Sequence, residues 1–121
     1  LINSKTKGKV GEREWRDFIK KKFKCNARRG VQYSGDASAP DVVSDLPFFF
    51  EVKRRNALSV YEAIGQVVKD ANGSGKIPTV AWRKDRREWL IILRADDFAR
   101  LKWEIVSRDE DEEKAVAFHR P

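Results

Sequence analysis

The chain is poor in the residues on which many enzymes depend. Of 121 residues, one is cysteine (Cys25), one is histidine (His119) and none is methionine. A single cysteine rules out an intramolecular disulfide and any cysteine-based zinc site, and it fits a reducing compartment. A lone histidine two residues from the C-terminus leaves Ser-His-Asp, Cys-His and histidine-metal nuclease arrangements without their base or ligand. There is no Gly-x-x-x-x-Gly-Lys loop, so the chain carries no phosphate-cradling ATP site of its own. No apolar run approaches the ~18 residues of a membrane span, and no signal peptide is visible. The chain starts at Leu1 rather than methionine, which fits a trimmed start or a piece of a longer chain.

Charge is abundant. Charged residues make up 37% and apolar residues 40%, a globular composition for one domain spanning 1–121. The net charge of +7 is unevenly spread. Residues 1–35 hold eleven Lys/Arg against three Asp/Glu, residues 36–106 twelve against eleven, and residues 107–121 three against five. A basic excess confined to the first third is the electrostatic footprint of a polyanion binder. A solvated lysine-rich helix is the plainer alternative.

Periodicity predicts the elements. Residues 1–7 are polar and expected to fray. Trp15, Phe18, Ile19 and Phe23 form one apolar stripe of a helix from about 9 to 24, with Lys20, Lys21, Lys22 and Lys24 where cations suit the helix dipole. A short strand is expected around Cys25–Arg29, then a loop rich in small residues from Gly30 to Ala39. Pro40 opens a strand through Val43, Ser44-Asp45-Leu46-Pro47 turns the chain, and Phe48–Lys53 is a central strand. Ser59-Val60-Tyr61-Glu62 fits a capping box. Val60, Ile64, Val67, Val68 and Ala71 then keep helical spacing up to Asn72-Gly73. Ile77–Arg83 and Glu88–Leu93 read as strands, and Ala95–Val106 as a helix. Trp82, Trp89 and Trp103 fall within these elements, as core or as dimer interface. The acidic Asp109–Glu113 run solvates a tail or begins a last helix. The order α-β-β-β-α-β-β-α predicts an α/β fold with a mixed five-stranded sheet flanked by helices, with 1–7 and 107–121 flexible or peripheral.

The chemistry concentrates between Pro40 and Lys53. Asp41 follows a proline, which favours an extended chain. Glu51 and Lys53, two apart on one strand, project from the same face. They adjoin Phe48-Phe49-Phe50, and charge beside such a run needs a partner. If the Asp41 strand pairs antiparallel with the Glu51 strand, the two acids meet, and carboxylates that close repel unless a cation lies between them. Oxygen ligands without His or Cys favour a hard ion, Mg²⁺ or Mn²⁺. Lys53 can then orient an attacking water or stabilise charge in the transition state. This spacing points to a metal-dependent nuclease. An edge-strand Glu51–Lys53 ion pair is the bland alternative.

Pro40-Asp41, a short hairpin and apolar residues before Glu51-Val52-Lys53 resemble the PD-(D/E)XK nuclease superfamily. Lys7-Gly8-x-x-x-Glu12-Arg13-Glu14 resembles the start of archaeal Holliday junction resolvases and their phage relatives. Arg28-Arg29-Gly30 with Ser34-Gly35 is similar to the same group. Ile77-Pro78-Thr79-Val80 and Arg94-Ala95-Asp96-Asp97-Phe98 resemble small phage endonucleases of this type. The similarity covers roughly residues 5–103. It implies a restriction-endonuclease-like fold, the cytoplasm of a prokaryotic or phage-infected cell, and a role in DNA recombination and repair.

The resemblance also implies a third acid from the first helix. At 100° per residue, Glu12 lies about 45° from the centre of the apolar stripe and Glu14 about 115° from it. Glu12 therefore faces the sheet, and Glu14 faces the flank, where a basic neighbour would pair with it. The family position, four residues after Gly8, also selects Glu12. The expected site is thus Glu12, Asp41 and Glu51 holding metal, with Lys53 assisting. Gln66 matches an auxiliary glutamine of such nucleases, although its angle places it on the helix surface. Lys9, Arg13, Arg28, Arg29, Arg54 and Arg55 are the expected phosphate contacts. Tyr33 is available to stack on a base or to pack. The resemblance implies a branched DNA substrate and a homodimer, with no membrane and no small-molecule substrate. Flap, nicked or site-specific duplex DNA, or an inactive binding module of the same fold, are the alternatives.

Overall fold

The computed structural model describes residues 4–31 and 39–101. Helix α1 spans Ser4–Phe23. Strands β1 (Ala27–Arg29), β2 (Val42–Ser44) and β3 (Phe48–Arg54) follow. Helix α2 (Val60–Asp70) leads to β4 (Ile77–Arg83) and β5 (Leu90–Ile92), and residues 95–101 are helical, labelled α3. The five strands make one mixed sheet in the order β1-β2-β3-β4-β5. The β3–β4 pair is parallel and the other three pairs are antiparallel. A parallel pair needs a crossover between its strands, and α2 supplies it.

Alternation along β3 sorts the core into two layers. Phe50 and Val52 point to one face, with Trp15 and Ile19 of α1, Val42 and Ala81. Phe49 points to the other, with Ala63, Val67 and Ala71 of the α2 segment and Val80. Trp15 is wholly buried. Its ring meets Phe50 edge-on at 5.2 Å, stacks on Phe18 at 5.3 Å and touches Trp89 at 5.1 Å. Truncating such a residue costs about 3–5 kcal/mol. Trp82 packs in the second layer. Trp82 and Trp89 therefore serve the core, as Trp15 does, while Trp103 lies outside the described residues.

Several expectations need correction. Helix α1 starts five residues earlier than the apolar stripe predicted, and Lys7 ties its first turns to Asp85 at 3.5 Å. At its other end Phe23 is 53% exposed, because Ile19 is the last α1 residue the sheet covers completely. Lys24 then ends the helix in a left-handed conformation (φ 51). Ser59 is the N-cap of α2 in extended geometry, but its hydroxyl makes no capping bond. Only its carbonyl engages the helix, accepting the Ala63 N–H at 3.0 Å. Burial of Ala63 and Val67 fixes that helix instead of a capping box.

Candidate active site

Strand β3 outruns its neighbour. The β2–β3 ladder ends at Val42↔Phe50, yet β3 continues to Arg54. Asp41 stands at this parting. Its N–H donates to the Phe50 carbonyl at 2.9 Å, so Asp41 and Val42 both address Phe50. Two residues against one is a β-bulge, a device that re-aims a side chain. The next N–H on that edge, from Val52, has lost its strand partner. The Asp41 carboxylate accepts it at 2.8 Å. On its other side the Asp41 carbonyl accepts the Gly30 N–H at 2.8 Å. Gly30 has to be glycine here, since a Cβ would sit 1.8 Å from the Pro40 carbonyl oxygen.

This placement is electrostatically uncomfortable for a lone acid. Burial pushes the Asp41 carboxyl up from 3.8 to about 6; the Val52 hydrogen bond opposes the rise, and the Glu12 and Glu51 charges add to it. Lys53 partly offsets them. Glu51 and Lys53 pair at 3.2 Å through Oε1, whereas Glu51 Oε2 is buried without a hydrogen-bond partner. An orphaned carboxylate oxygen beside a proton-retaining acid is a donor set suited to a hard cation.

Glu12 arrives from α1. Gly11 lets the helix come close, for a Cβ there would lie 2.5 Å from Arg54 Cβ. The Glu12 carboxylate feels Asp41, but Arg29 holds it, donating from Nε at 3.1 Å and Nη2 at 2.8 Å to one oxygen. Among the described residues, no three His, Cys, Asp or Glu side chains gather closely enough to hold an ion by themselves. Glu12 and Glu51 both act on the Asp41 carboxyl, Glu12 the more strongly, while Arg29 holds the Glu12 carboxylate.

A protein-family model described as phage putative PDDEXK endonuclease matches residues 3–112. The chain belongs to this endonuclease family. No curated protein matches it significantly. Among solved structures it is similar to Archaeoglobus fulgidus Hjc, a Holliday junction resolvase from an archaeal hyperthermophile. The two share 28% identity over 69% of this chain and 76% of that one, with a TM-score of 0.50.

Around the site, the endonuclease spends some of its expected DNA-binding cations on itself. Arg29 is committed to Glu12. Arg54, its side chain only 13% exposed, bonds Asp85 at 2.5 Å and lies 3.6 Å from Glu14. Each sits where an acid from another element reaches it. Glu14, the acid that the helical angle turned to the flank, pairs with Arg54 and, more closely, with Arg83. Lys9, Arg13, Arg28 and Arg55 are exposed. Gln66 is exposed on α2 and donates to Asp70 at 3.0 Å, the surface placement its helical angle predicted. Tyr33, Ser34 and Gly35 lie outside the described residues, as does the acidic run 109–113.

Sequence reasoning missed Gly11, Gly30 and the Val52 N–H as parts of the site. Two of them left a trace: Gly11 immediately precedes Glu12, and Gly30 follows the arginine pair.

Proposed function

We propose that this endonuclease-family protein is a Mg²⁺- or Mn²⁺-dependent DNA endonuclease selective for branched DNA, with a Holliday junction as its preferred substrate. One observation carries the chemistry: Asp41, locked onto the Val52 N–H, shares the end of the sheet with the half-unpaired carboxylate of Glu51 and with Lys53. Asp41 and Glu51 would hold the ion, and Glu12 would join through water once released by Arg29. A bound divalent ion supplies Lewis-acid polarisation of the phosphate and a more acidic water. The chain's own groups do the rest. The Val52 N–H fixes which Asp41 oxygen remains available. Lys53 Nζ, anchored on Glu51 Oε1, orients the attacking water or stabilises charge on the phosphoryl oxygens. Arg28, Lys9, Arg13 and Arg55 bind the backbone.

The similarity to the Archaeoglobus resolvase supports the branched substrate. A homodimer follows from that choice, since a two-fold junction needs paired sites. The cytoplasm is the compartment that fits; among the described residues no helix is long and apolar enough to cross a membrane.

Labelled four-way, flap, nicked and linear duplexes incubated with Mg²⁺ test the proposal. Symmetric cuts in opposing arms of the four-way substrate are expected, with activity abolished in Asp41→Asn and Lys53→Ala. Equal cutting of linear duplex would sink the junction preference and leave the nuclease. Undiminished cutting by both variants would sink the site.

A further inference from the structure

After β4 ends at Arg83, the turn to β5 reads Lys84-Asp85-Arg86-Arg87-Glu88, and its one internal acid, though exposed, is engaged by side chains from other elements. Asp85 bonds Arg54 at 2.5 Å and Asn56 at 2.8 Å, and Lys7 stands 3.5 Å off. Its own N–H donates to Asn56 Oδ1 at 2.8 Å. These bonds hold Asp85 well down, at about 2, so it stays ionised and occupied. Arg83 is likewise engaged by Glu14. The outer charge of the turn is therefore Lys84, Arg86 and Arg87, all exposed. The acid still beside them is Glu88, in a loose and largely exposed 3.7 Å contact with Arg87, a kind of pair worth little.

Two further facts bear on this turn. Arg86 sits at φ 60, a left-handed conformation that Gly or Asn would adopt more cheaply. A long cation held there at a conformational cost is a pointer to use. Position is the second fact. In the parallel ladder Lys53 pairs with Trp82 and Arg54 with Arg83. The turn thus begins two residues past the partner of Lys53, one strand spacing of about 4.8 Å to the side. Trp82 strengthens the junction, donating from Nε1 to the Arg55 carbonyl at 2.8 Å while Lys84 lies over its ring at 5.6 Å. The exposed Arg28 on β1 occupies the opposite flank of β3 in the strand order.

We infer that the β4–β5 turn is a preorganised phosphate clamp, in which Lys84, Arg86 and Arg87 grip the DNA backbone on the side of the cleaved bond opposite Arg28. The inference rests on the proposed nuclease function and extends it to a surface outside the basic N-terminal third. The lysines at residues 20–22 provide the contrast. They are exposed, carry the same charge, and lie eight to ten residues past Glu12, about 12–15 Å along the helix.

Two triple variants of the full chain decide it: Lys84→Ser/Arg86→Gly/Arg87→Ser, and Lys20→Ser/Lys21→Ser/Lys22→Ser. Binding of a fluorescein-labelled duplex and four-way junction is followed by anisotropy in EDTA across a salt series. Each lost phosphate contact lowers the slope of log K against log salt by about one. The turn variant is expected to lose about two to three units of slope and at least tenfold in affinity, while the helix variant keeps most of both. Glycine suits the backbone at 86, and circular dichroism checks that each variant is folded. A misfolded turn variant is replaced by the single Arg86→Gly, for which about one unit is expected. Equal losses in both triples would overturn the clamp in favour of bulk charge, as would an unchanged slope in the turn variant. In either case, wild-type cleavage in Mg²⁺ leaves the nuclease standing. Wild type that neither binds nor cuts DNA would overturn both.

Discussion

At the scale of single residues, Asp41 carries the most unusual burden. Its folded-state pKa of about 6 lies above the ordinary 3.8, so between those values the native protein binds more protons than the unfolded chain. The contribution of Asp41 to the stability of the metal-free protein is then most favourable below about pH 4, falls as pH rises to about 6, and levels off above it. At about 1.4 kcal/mol per unit, the penalty at neutral pH reaches about 2–3 kcal/mol. Asp41→Asn removes the charge and is expected to stabilise the metal-free protein by up to that amount at neutral pH and hardly at all near pH 3.5. Urea unfolding at the two pH values measures it, and equal gains at both would contradict the electrostatic cause. Gly30→Ala runs the other way. Its Cβ would press on the Pro40 carbonyl, so a loss of about 1–3 kcal/mol or more is expected. Activity should drop with it as Asp41 shifts, and denaturant midpoints with parallel cleavage assays check both. The proximity of Asp41, just before β2, to Glu51 and Lys53 on β3 was legible because the chain places them close together and the strand period puts Glu51 and Lys53 on one side. Glu12 was legible from the helical angle. Its capture by Arg29 was not, since that bond depends on how α1 crosses the end of β1.

At the scale of elements, the ion pairs that join segments far apart in sequence form a brace. Glu14 on α1 meets Arg83 on β4, 69 residues away, and Arg54 at the end of β3. Arg54 in turn meets Asp85, 31 residues away. The helical angle showed which way Glu14 turns, but no local pattern names a partner at such separation. The helices were readable because their apolar residues repeat with period 3.6, and the central strands because short apolar runs such as residues 48–50 and 77–81 are buried on both faces. The ends were less so: α1 runs back to Ser4, and Phe23 protrudes, because the length of sheet available decides where an apolar stripe stops being covered. Glu14→Gln should free Arg54 and Arg83 from their shared acid, at a cost of about 1–3 kcal/mol in urea unfolding. A loss below about 0.5 kcal/mol would mark the brace as no stronger than an ordinary surface pair.

At the scale of the whole molecule, the sheet sorts labour by its ends. The lysines at the close of α1 lie about 12–15 Å along the helix from Glu12, which sits mid-helix beside the sheet. On the proposed function, Mg²⁺ or Mn²⁺ binds the native state alone and raises its melting temperature, by RT ln(1 + [ion]/Kd) in free energy. Thermal melts of wild type should rise with added ion, and those of Asp41→Asn and Glu51→Gln should stay flat. A flat wild-type curve would argue against an ion site at these acids.

The bond from the Val52 N–H to the Asp41 side chain closes a rung of the sheet that a backbone carbonyl would ordinarily fill. On the proposed function, the carboxylate that would hold the ion is thereby also a structural stitch. If β2 slips by one residue, the stitch opens and the acid swings away, so a misregistered molecule is also a disarmed one. On that reading, correct folding and competence for chemistry depend on the same contact, and the exchange rate of one amide proton, that of Val52, should report on both.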